Sequence, residues 1–293
     1  MNKEDFKKIA YPETYADEKE LHDIFTFMRK EDPVSWVEPD QFRPFWAITK
    51  HEDIIEIEKQ NELFINDPRT TLMDIPTEDA IKEFTGGSHL LVRSLVHMDN
   101  PDHQSYRSLT QKWFAPPNLE SLKKDIRNIA KEYVNKMVDY GSECDFAKDI
   151  AIFYPLRVIM SILGVPKEDE PRMLRLTQEL FGGRDEDMIR DESEISSDSN
   201  TITDFFEYFN TLTEDRRKNP TNDVSSVIAN AQINNEQLGH LEAMSYYVII
   251  ATAGHDTTSS STAGGILALI ENPDQLSKLK NKPCLLYTSP SPR

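Results

Sequence analysis

The sequence predicts a mainly α-helical fold with a minor β region. Apolar residues recur at three- and four-residue spacing in most of the chain, which is the period of an amphipathic helix. Pro and Gly stand at the borders of these segments, where they begin or end helices. Two short segments near the N-terminus, 33–37 and 45–49, are rich in aromatic and β-branched residues and predict the strands.

The predicted helices follow the two strands along the chain. A small acidic helix is expected at residues 51–60, and Pro101 begins another, with Asp99 or Asn100 as its cap. No internal repeat is visible. The next predicted segments are helices at 118–140, 149–163, 168–182 and 201–218, with an acidic, serine-rich loop at 185–200.

The longest predicted helix extends from Asn235 to Glu271. Leu238, Leu241 and Met244 give its apolar period, and Pro273 cannot continue it. About 35 residues at a rise of 1.5 Å per residue span roughly 50 Å, the length of an element that crosses a whole domain. Its apolar run is interrupted well short of the roughly 20 residues that a membrane span needs. We therefore predict no membrane association.

Residues 253–258, with the sequence Ala-Gly-His-Asp-Thr-Thr, are expected to distort that helix in its middle. Gly, Asp and Thr are mediocre or poor helix formers. A Thr hydroxyl can bond the carbonyl one turn earlier, which bends or opens the helix. An acid beside a hydroxyl at such a distortion indicates that protons are handled there.

The composition excludes several classes of function. With 33 Lys and Arg against 51 Asp and Glu, the formal net charge is −18 and the sequence pI is about 4.8. A field of that sign repels phosphate backbones, so no nucleic-acid partner is predicted. The polar N-terminus is neither a signal peptide nor an anchor, and Cys144 and Cys284 make no disulfide framework. The predicted location is the cytoplasm.

A second candidate site is the pair His103 and Arg107. The two residues are four apart on the helix that Pro101 begins, so they share one face. Two donors on one face can hold a carboxylate, and Arg does so with a fork of N–H groups. The alternative is a solvated pair on an exposed helix.

Other catalytic classes lack their motifs. The spacing of His89, His97 and His103 gives no helical His-x-x-x-His pair, so no metal site is predicted. A serine hydrolase needs a Gly-x-Ser-x-Gly elbow, and the sequence contains none. The paired glycines at 86–87 and 182–183 lack the spacing of phosphate-binding loops.

Taken in order, these motifs resemble those of the cytochrome P450 monooxygenases. The family carries Ala-Gly-x-Asp-Thr-Thr in its long helix and His-x-x-x-Arg earlier in the chain, here followed by Trp-Phe-Ala-Pro at 113–116. Residues 144–166 resemble the helix that the family packs beneath the long one. The resemblance covers roughly residues 15–283. Within the family, the run 255–261 looks most like bacterial soluble forms that oxidise terpene alcohols.

The resemblance implies a haem b cofactor with iron, and a helix that crosses its distal face beside bound dioxygen. In the family, the His-x-x-x-Arg pair binds a haem propionate, which assigns that role to His103 and Arg107. Ala253 and Gly254 have little or no side chain, so they would let the helix approach the porphyrin closely. Thr257 would also contact the haem cofactor.

The implied reaction is insertion of one oxygen atom of O2 into a C–H bond of an apolar small molecule such as a terpenoid. Thr257 would hydrogen-bond the bound oxygen, and Asp256 would relay solvent protons to it. His255 is interpreted as structural, with its side chain facing away from the haem. The expected substrate pocket is lined by Leu90, Leu91, Val92, Ile249, Ile250 and Thr252.

The family's Glu-x-x-Arg pair and its Cys-bearing loop have no counterpart up to residue 283. We therefore expect 1–283 to be a partial cytochrome P450 domain that lacks the C-terminal haem-thiolate part. Such a fragment would be inactive and would expose apolar surface, with poor solubility. Residues 284–293 resemble a sequencing adapter when back-translated and are predicted to be non-native, which removes Cys284 as a ligand.

The expected partners are the substrate, O2, and a ferredoxin with its ferredoxin reductase, because no fused reductase domain is visible. An alternative is a non-catalytic helical small-molecule-binding protein that keeps this fold without haem. The native sequence after residue 283 distinguishes the two, since only the enzyme needs the thiolate loop.

Overall fold

The computed structural model describes residues 2–181 and 201–288. The chain divides into two compact units, Met1–Arg107 and Ser108–Arg293. The loop predicted at 185–200 lies outside the described residues.

Unit 1 combines short helices with a two-stranded antiparallel sheet. Its strands, Val34–Val37 (β1) and Phe45–Ile48 (β2), confirm the two predicted strands, and Trp36 pairs with Trp46 across them. A 3-10 helix, Lys3–Ala10, precedes the α-helices. These are Pro12–Ala16 (α1), Glu18–Glu31 (α2), His51–Glu58 (α3), Ile75–Thr85 (α4) and Asp102–Gln111 (α5), the last of which continues into unit 2.

The core of unit 1 joins its N-terminal helices to the sheet. Phe6 and Ile9 of the 3-10 helix pack with Ile24 and Met28 of α2 and with Val37 of β1. The sequence analysis did not predict α2, although its signals are present. Asp17 caps its first turn by accepting from the Glu20 amide, and its buried residues are four apart.

Helix α4, also unpredicted, has clear boundaries in the sequence. The Asp74 carboxylate accepts a hydrogen bond from the Thr77 amide at 2.9 Å, and Pro76 lies in the first turn. Gly86 ends the helix with a φ of 72°, a left-handed conformation that favours glycine. The helix places Glu78 and Lys82 on one face.

Unit 2 is almost entirely helical and confirms the helices predicted at 118–140, 149–163, 168–182 and 201–218. A π-helix, Phe146–Ala151, precedes α7, and 3-10 helices cover Lys167–Asp169 and Pro283–Thr288. The other elements are Pro116–Asp139 (α6), Phe153–Leu163 (α7), Glu170–Phe181 (α8), Thr201–Lys218 (α9), Val224–Ala229 (α10), Gln232–Ile233 (β3), Glu236–Gln237 (β4), His240–Ala253 (α11), Asp256–Glu271 (α12) and Pro273–Asn281 (α13).

The long helix starts later than predicted. Asn234 and Asn235 have φ angles of 54° and 67° and form the turn between β3 and β4, so the predicted start at Asn235 is wrong. Two consecutive positive φ angles suit a two-residue hairpin turn, and Asn tolerates them better than most residues. The helix instead begins at His240, after Gly239.

The core of unit 2 lies around α7 and α11. Leu156 and Met160 of α7 are fully buried, and α7 packs against both α11 and α12. This confirms that the block 144–166 lies beneath the long helix. On another side of α11, the Tyr247 ring stacks on Phe209 with centroids 4.6 Å apart. Full burial of side chains of this size contributes about 1.5–3 kcal/mol each.

The second half of α12 leaves apolar surface exposed. Ile266, Leu267 and Ile270 are 38%, 56% and 64% exposed. Exposed apolar surface of this kind was expected for the partial domain 1–283. Across residues 2–181 and 201–288, none of the helices is long and apolar enough to span a lipid bilayer.

Candidate active site

The predicted distortion of the long helix is present and divides it into α11 and α12. His255 lies at the junction, where its amide donates to the Thr252 carbonyl, three residues back instead of four. The Thr257 hydroxyl donates to the Ala253 carbonyl at 2.9 Å, and the Thr252 hydroxyl donates to that of Val248. The bonds from hydroxyl groups to carbonyls one turn earlier are the ones that the sequence predicted.

His255 fixes this junction to the interior of unit 2. Its side chain is 3% exposed, and its Nε2 lies 2.8 Å from the Ile152 carbonyl oxygen. A carbonyl can only accept, so Nε2 carries a proton, while Nδ1 lies 3.3 Å from the Thr177 hydroxyl. Burial lowers the pKa of His255 below its ordinary value and favours the neutral ring. The burial and hydrogen bonds of His255 agree with a structural role, and its orientation relative to a haem stays a prediction.

Gly254 packs closely on α7 at the side chain of Ile159. A Cβ atom on Gly254 would lie 2.3 Å from Cδ1 of Ile159, closer than any real contact. The absence of a side chain therefore serves helix packing in this structure. The approach of Gly254 to a cofactor stays a prediction.

We expect Gly254→Ala to destabilise unit 2 by about 1–2 kcal/mol, because an added methyl group overpacks the contact with Ile159. Ile159→Ala removes the clashing atoms. The substitution at Ile159 should therefore cost less in the Gly254→Ala background than in the unaltered protein. Urea unfolding of the two single variants and the double variant measures this coupling. Additive effects would contradict the packing role.

Asp256, Thr257 and Ala253 form an open face of the broken helix, on the side away from the buried His255. All three are exposed. In the part of the chain that the structure describes, no Arg or Lys pairs with the Asp256 carboxylate. The Thr257 hydroxyl donates its hydrogen to the Ala253 carbonyl, so its oxygen remains able to accept a hydrogen bond. The two residues predicted to be catalytic are therefore adjacent, accessible and not committed to an ion pair.

The predicted pocket residues of α11 are not equivalent. Ile249 and Ile250 are half-buried, and they lie about one turn before Ala253 and about two turns before Asp256 and Thr257. Thr252, in contrast, is 2% exposed and bonds Val248. The structure therefore places Thr252 in the interior of unit 2 rather than on this face.

The other predicted pocket residues belong to a loop of unit 1. Leu90 lines a cavity of about 250 Å³ formed by unit 1 residues. Leu91 is 39% exposed and Val92 is half-buried. The loop follows Gly86 and Gly87, whose positive φ angles end α4 and turn the chain.

His103 and Arg107 lie one turn apart on α5, as predicted. His103 is half-buried and its amide donates to the Asp99 carbonyl, while Arg107 is exposed. Among the residues described, no carboxylate pairs with the Arg107 guanidinium. This pair therefore offers donors on one helix face, one of them a permanent cation, which suits an anionic group.

The sequence analysis missed a cluster of charged residues on α4. Glu78 is 4% exposed and bonds Arg43, Arg69, Lys82 and His89. The spacing of Glu78 and Lys82 was visible in the sequence, but the partners from other segments were not. His89 bonds a carboxylate here, and within the described ranges no group of three His, Cys, Asp or Glu side chains is placed to hold a metal ion.

Comparisons with known proteins agree with the geometry. A family model described as cytochrome P450 matches residues 15–282. The chain is 39% identical to cytochrome P450-terp from Pseudomonas sp. over 96% of its length and 67% of the relative's. It is also 26% identical to linalool 8-monooxygenase from Pseudomonas putida, covering 99% of this chain and 69% of that protein.

The same likeness holds in three dimensions. The crystal structure of CYP108D1 from Novosphingobium aromaticivorans DSM12444 superposes with a TM-score of 0.82 at 42% identity. The match covers 94% of this chain and 66% of that one. The chain thus spans about two thirds of the length of these relatives, and 58% of the methyl-branched lipid omega-hydroxylase from Mycobacterium bovis, to which it is 28% identical.

Proposed function

The chain belongs to the cytochrome P450 family, and on this premise we propose that the whole protein is a haem-dependent monooxygenase. It inserts one oxygen atom of O2 into a C–H bond of an apolar small molecule such as a terpenoid. The observation that carries the proposal is the open face of the α11–α12 junction, where Asp256 and Thr257 are adjacent and exposed. The similarity to linalool 8-monooxygenase supports the substrate class.

The residues present fit the family's haem. Arg107 is a cation without a carboxylate partner in the described part of the chain, and His103 lies one turn earlier, so the two suit a propionate. Ala253 is small and exposed, which leaves room for a flat cofactor against the helix. Haem supplies the iron at which O2 is activated.

Asp256 and Thr257 handle the protons that the reaction consumes. The Asp256 carboxylate is exposed, so it can take a proton from solvent. The neighbouring Thr257 Oγ1 can accept a hydrogen bond from a donor on the open face, and it can pass a proton on when its own hydrogen leaves the Ala253 carbonyl. The break at His255 places both side chains in the first turn of α12, directly after the point where the backbone ladder is open.

Ile249 and Ile250 bind the substrate by burying apolar surface. Each half-buried side chain can gain about 25 cal/mol for every Å² that a substrate covers. Leu90, Leu91 and Val92 are proposed as further pocket residues. Thr252 is buried and donates to the Val248 carbonyl, so we do not propose that it contacts the substrate. The proposed electron donors are a ferredoxin and its reductase, and the proposed location is the cytoplasm.

The test of this function is a spectrum followed by product analysis. The whole protein should show the carbon monoxide difference spectrum of a reduced haem-thiolate protein. With a ferredoxin, its reductase and O2, it should convert a terpene alcohol to a product that carries one atom of ¹⁸O from ¹⁸O2. A whole protein that binds terpene alcohols but no haem would support the non-catalytic binding protein instead.

We expect Arg107→Gln to weaken haem retention by roughly tenfold to 100-fold, because a hydrogen bond to a charged group contributes about 1.5–3 kcal/mol. The rate of haem transfer from the whole protein to apomyoglobin measures the effect. Arg127→Gln, on the exposed side of α6, is the matched control. Equal transfer rates for both variants would remove Arg107 from the cofactor site.

We also propose that the native sequence departs from the present one after Pro283 and that 284–293 are not part of the protein. Sequencing the source DNA across the codon for Pro283 tests this. A frame that continues into Glu-x-x-Arg and a glycine-rich loop with a single Cys is the expected result. A frame that ends at Arg293 would leave the protein without an iron ligand and would count against the monooxygenase.

A further inference from the structure

A buried carboxylate in unit 1 is surrounded by more cations than it can neutralise. Glu78 of α4 is 4% exposed. Its Oε2 accepts from Arg43 Nε at 2.6 Å, and its Oε1 contacts Arg69 NH2 at 2.8 Å, Lys82 Nζ at 3.2 Å and His89 Nδ1 at 2.6 Å. Four segments of unit 1 thus converge on one side chain.

Glu78 remains ionised under these conditions. Burial alone would raise its pKa, but the hydrogen bonds from Arg43, Arg69, Lys82 and His89 outweigh burial and hold the pKa of Glu78 well below its ordinary value. Its single negative charge is therefore a fixed part of the cluster.

The charges do not balance. Arg43, Arg69 and Lys82 are three permanent cations, whereas Glu78 and Asp79, the latter 3.7 Å from Arg43, supply two negative charges. One positive charge is in excess before His89 is counted. The cluster therefore attracts a further anion, and a single excess charge suits a monoanion better than a phosphate dianion.

The guanidinium groups also keep unused donors. Each has five N–H groups, but Glu78 engages Nε of Arg43 and Nε and NH2 of Arg69. NH2 of Arg43 also lies 3.7 Å from the Asp79 carboxylate. Among the residues that the structure describes, NH1 of Arg43 and NH1 of Arg69 then have no acceptor. Both side chains remain more than 40% exposed, so a ligand can reach them.

These donors face a cavity with apolar walls. The cavity of about 250 Å³ is lined by Arg43, Arg69 and Glu78 together with Phe45, Leu72, Met73 and Leu90. Concave sites with apolar walls and a few convergent polar groups are typical of small-molecule binding. An apolar body would pack on these walls while an anionic group met the guanidinium donors.

We propose that this cavity of unit 1 binds an apolar molecule that carries a single carboxylate. The carboxylate accepts hydrogen bonds from the free N–H groups of Arg43 and Arg69, and the apolar body contacts Leu72, Met73 and Leu90. Arg–carboxylate bonds are charge-assisted and directional, which explains a preference for this group over a neutral amide. The site consists of unit 1 residues and shares Leu90 with the substrate pocket proposed above, but its carboxylate group is held by Arg43 and Arg69 and not by haem.

The experiment compares octanoate with octanamide by isothermal titration calorimetry on the whole protein. Octanoate should bind at least tenfold more tightly, and Arg69→Gln should remove most of that difference. Arg93→Gln is the matched control, because Arg93 pairs with Asp102 on the surface of unit 1 outside the cavity. Leu72→Trp fills the cavity without changing its charge and should weaken octanoate binding at least tenfold.

Three outcomes would overturn the proposal. These are equal affinities for octanoate and octanamide, no binding of either compound at millimolar concentration, and equal effects of Arg69→Gln and Arg93→Gln. If Arg69→Gln fails to fold, the octanoate affinities of the unaltered protein and of Leu72→Trp still test the proposal. The carbon monoxide spectrum is measured separately, so a failure here is distinguishable from a failure of the proposed monooxygenase.

Discussion

Thr257→Ala in the whole protein is expected to divert electrons from product to hydrogen peroxide. Loss of the hydroxyl removes the group through which a proton reaches the open face, and proton transfer by a positioned side chain contributes about 10²–10⁴-fold to rates. Product formed per electron pair delivered by the reductase should fall at least tenfold, while electron consumption continues. Asp256→Asn should slow product formation by on the order of 100-fold, because an amide cannot relay a proton.

The matched control for Thr257→Ala is Thr262→Ala. The Thr262 hydroxyl donates to the Thr258 carbonyl at 2.7 Å, the same bond to the preceding turn that Thr257 makes to Ala253. Both variants therefore lose an equivalent helix contact, but Thr262 lies more than one turn beyond the junction. Unchanged coupling in Thr257→Ala, or equal losses in both variants, would show that Thr257 only satisfies a carbonyl.

His255→Ala is expected to lower the free energy of unfolding by about 2–4 kcal/mol. The substitution removes the bonds to Ile152 and Thr177 and leaves a cavity at a side chain that is 3% exposed. Because those bonds fix the junction of α11 and α12, coupling of electrons to product should fall as well. Urea unfolding measures the stability. His240→Ala, an exposed His at the start of α11, should change it by less than about 0.5 kcal/mol.

The same residue gives a pH dependence with a defined sign. Burial lowers the pKa of folded His255 below the ordinary value of 6.5, which the unfolded chain keeps. As the pH falls below 6.5, the unfolded state takes up a proton that the folded state does not. Stability is therefore lost on acidification, by at most about 1.4 kcal/mol per pH unit from this group. His255→Gln should reduce the slope below pH 6.5. A slope equal to that of the unaltered protein would contradict the assignment.

Local chemistry made much of the fold predictable. The ends of the helices 118–140 and 149–163 follow from Pro and Gly, and Gly164 has the left-handed φ of 67° that such an end requires. The start of the long helix was missed because two Asn residues are acceptable both as helix caps and in a hairpin turn. Their positive φ angles are stabilised by the pairing of β3 with β4, which the local pattern did not reveal.

The sequence by itself determined the broken helix, the adjacent acid and hydroxyl, and the donor pair on α5, because each depends on residues within one or two helical turns. The tertiary structure alone decided which groups hold these elements in place. His255 meets Ile152 from 103 residues away, and Arg43 meets Glu78 from 35 residues away. Such contacts arise when packing brings distant segments together, and neither period nor spacing encodes them. For the same reason, only the structure showed that Gly254 faces Ile159 and that the cations of unit 1 surround a cavity.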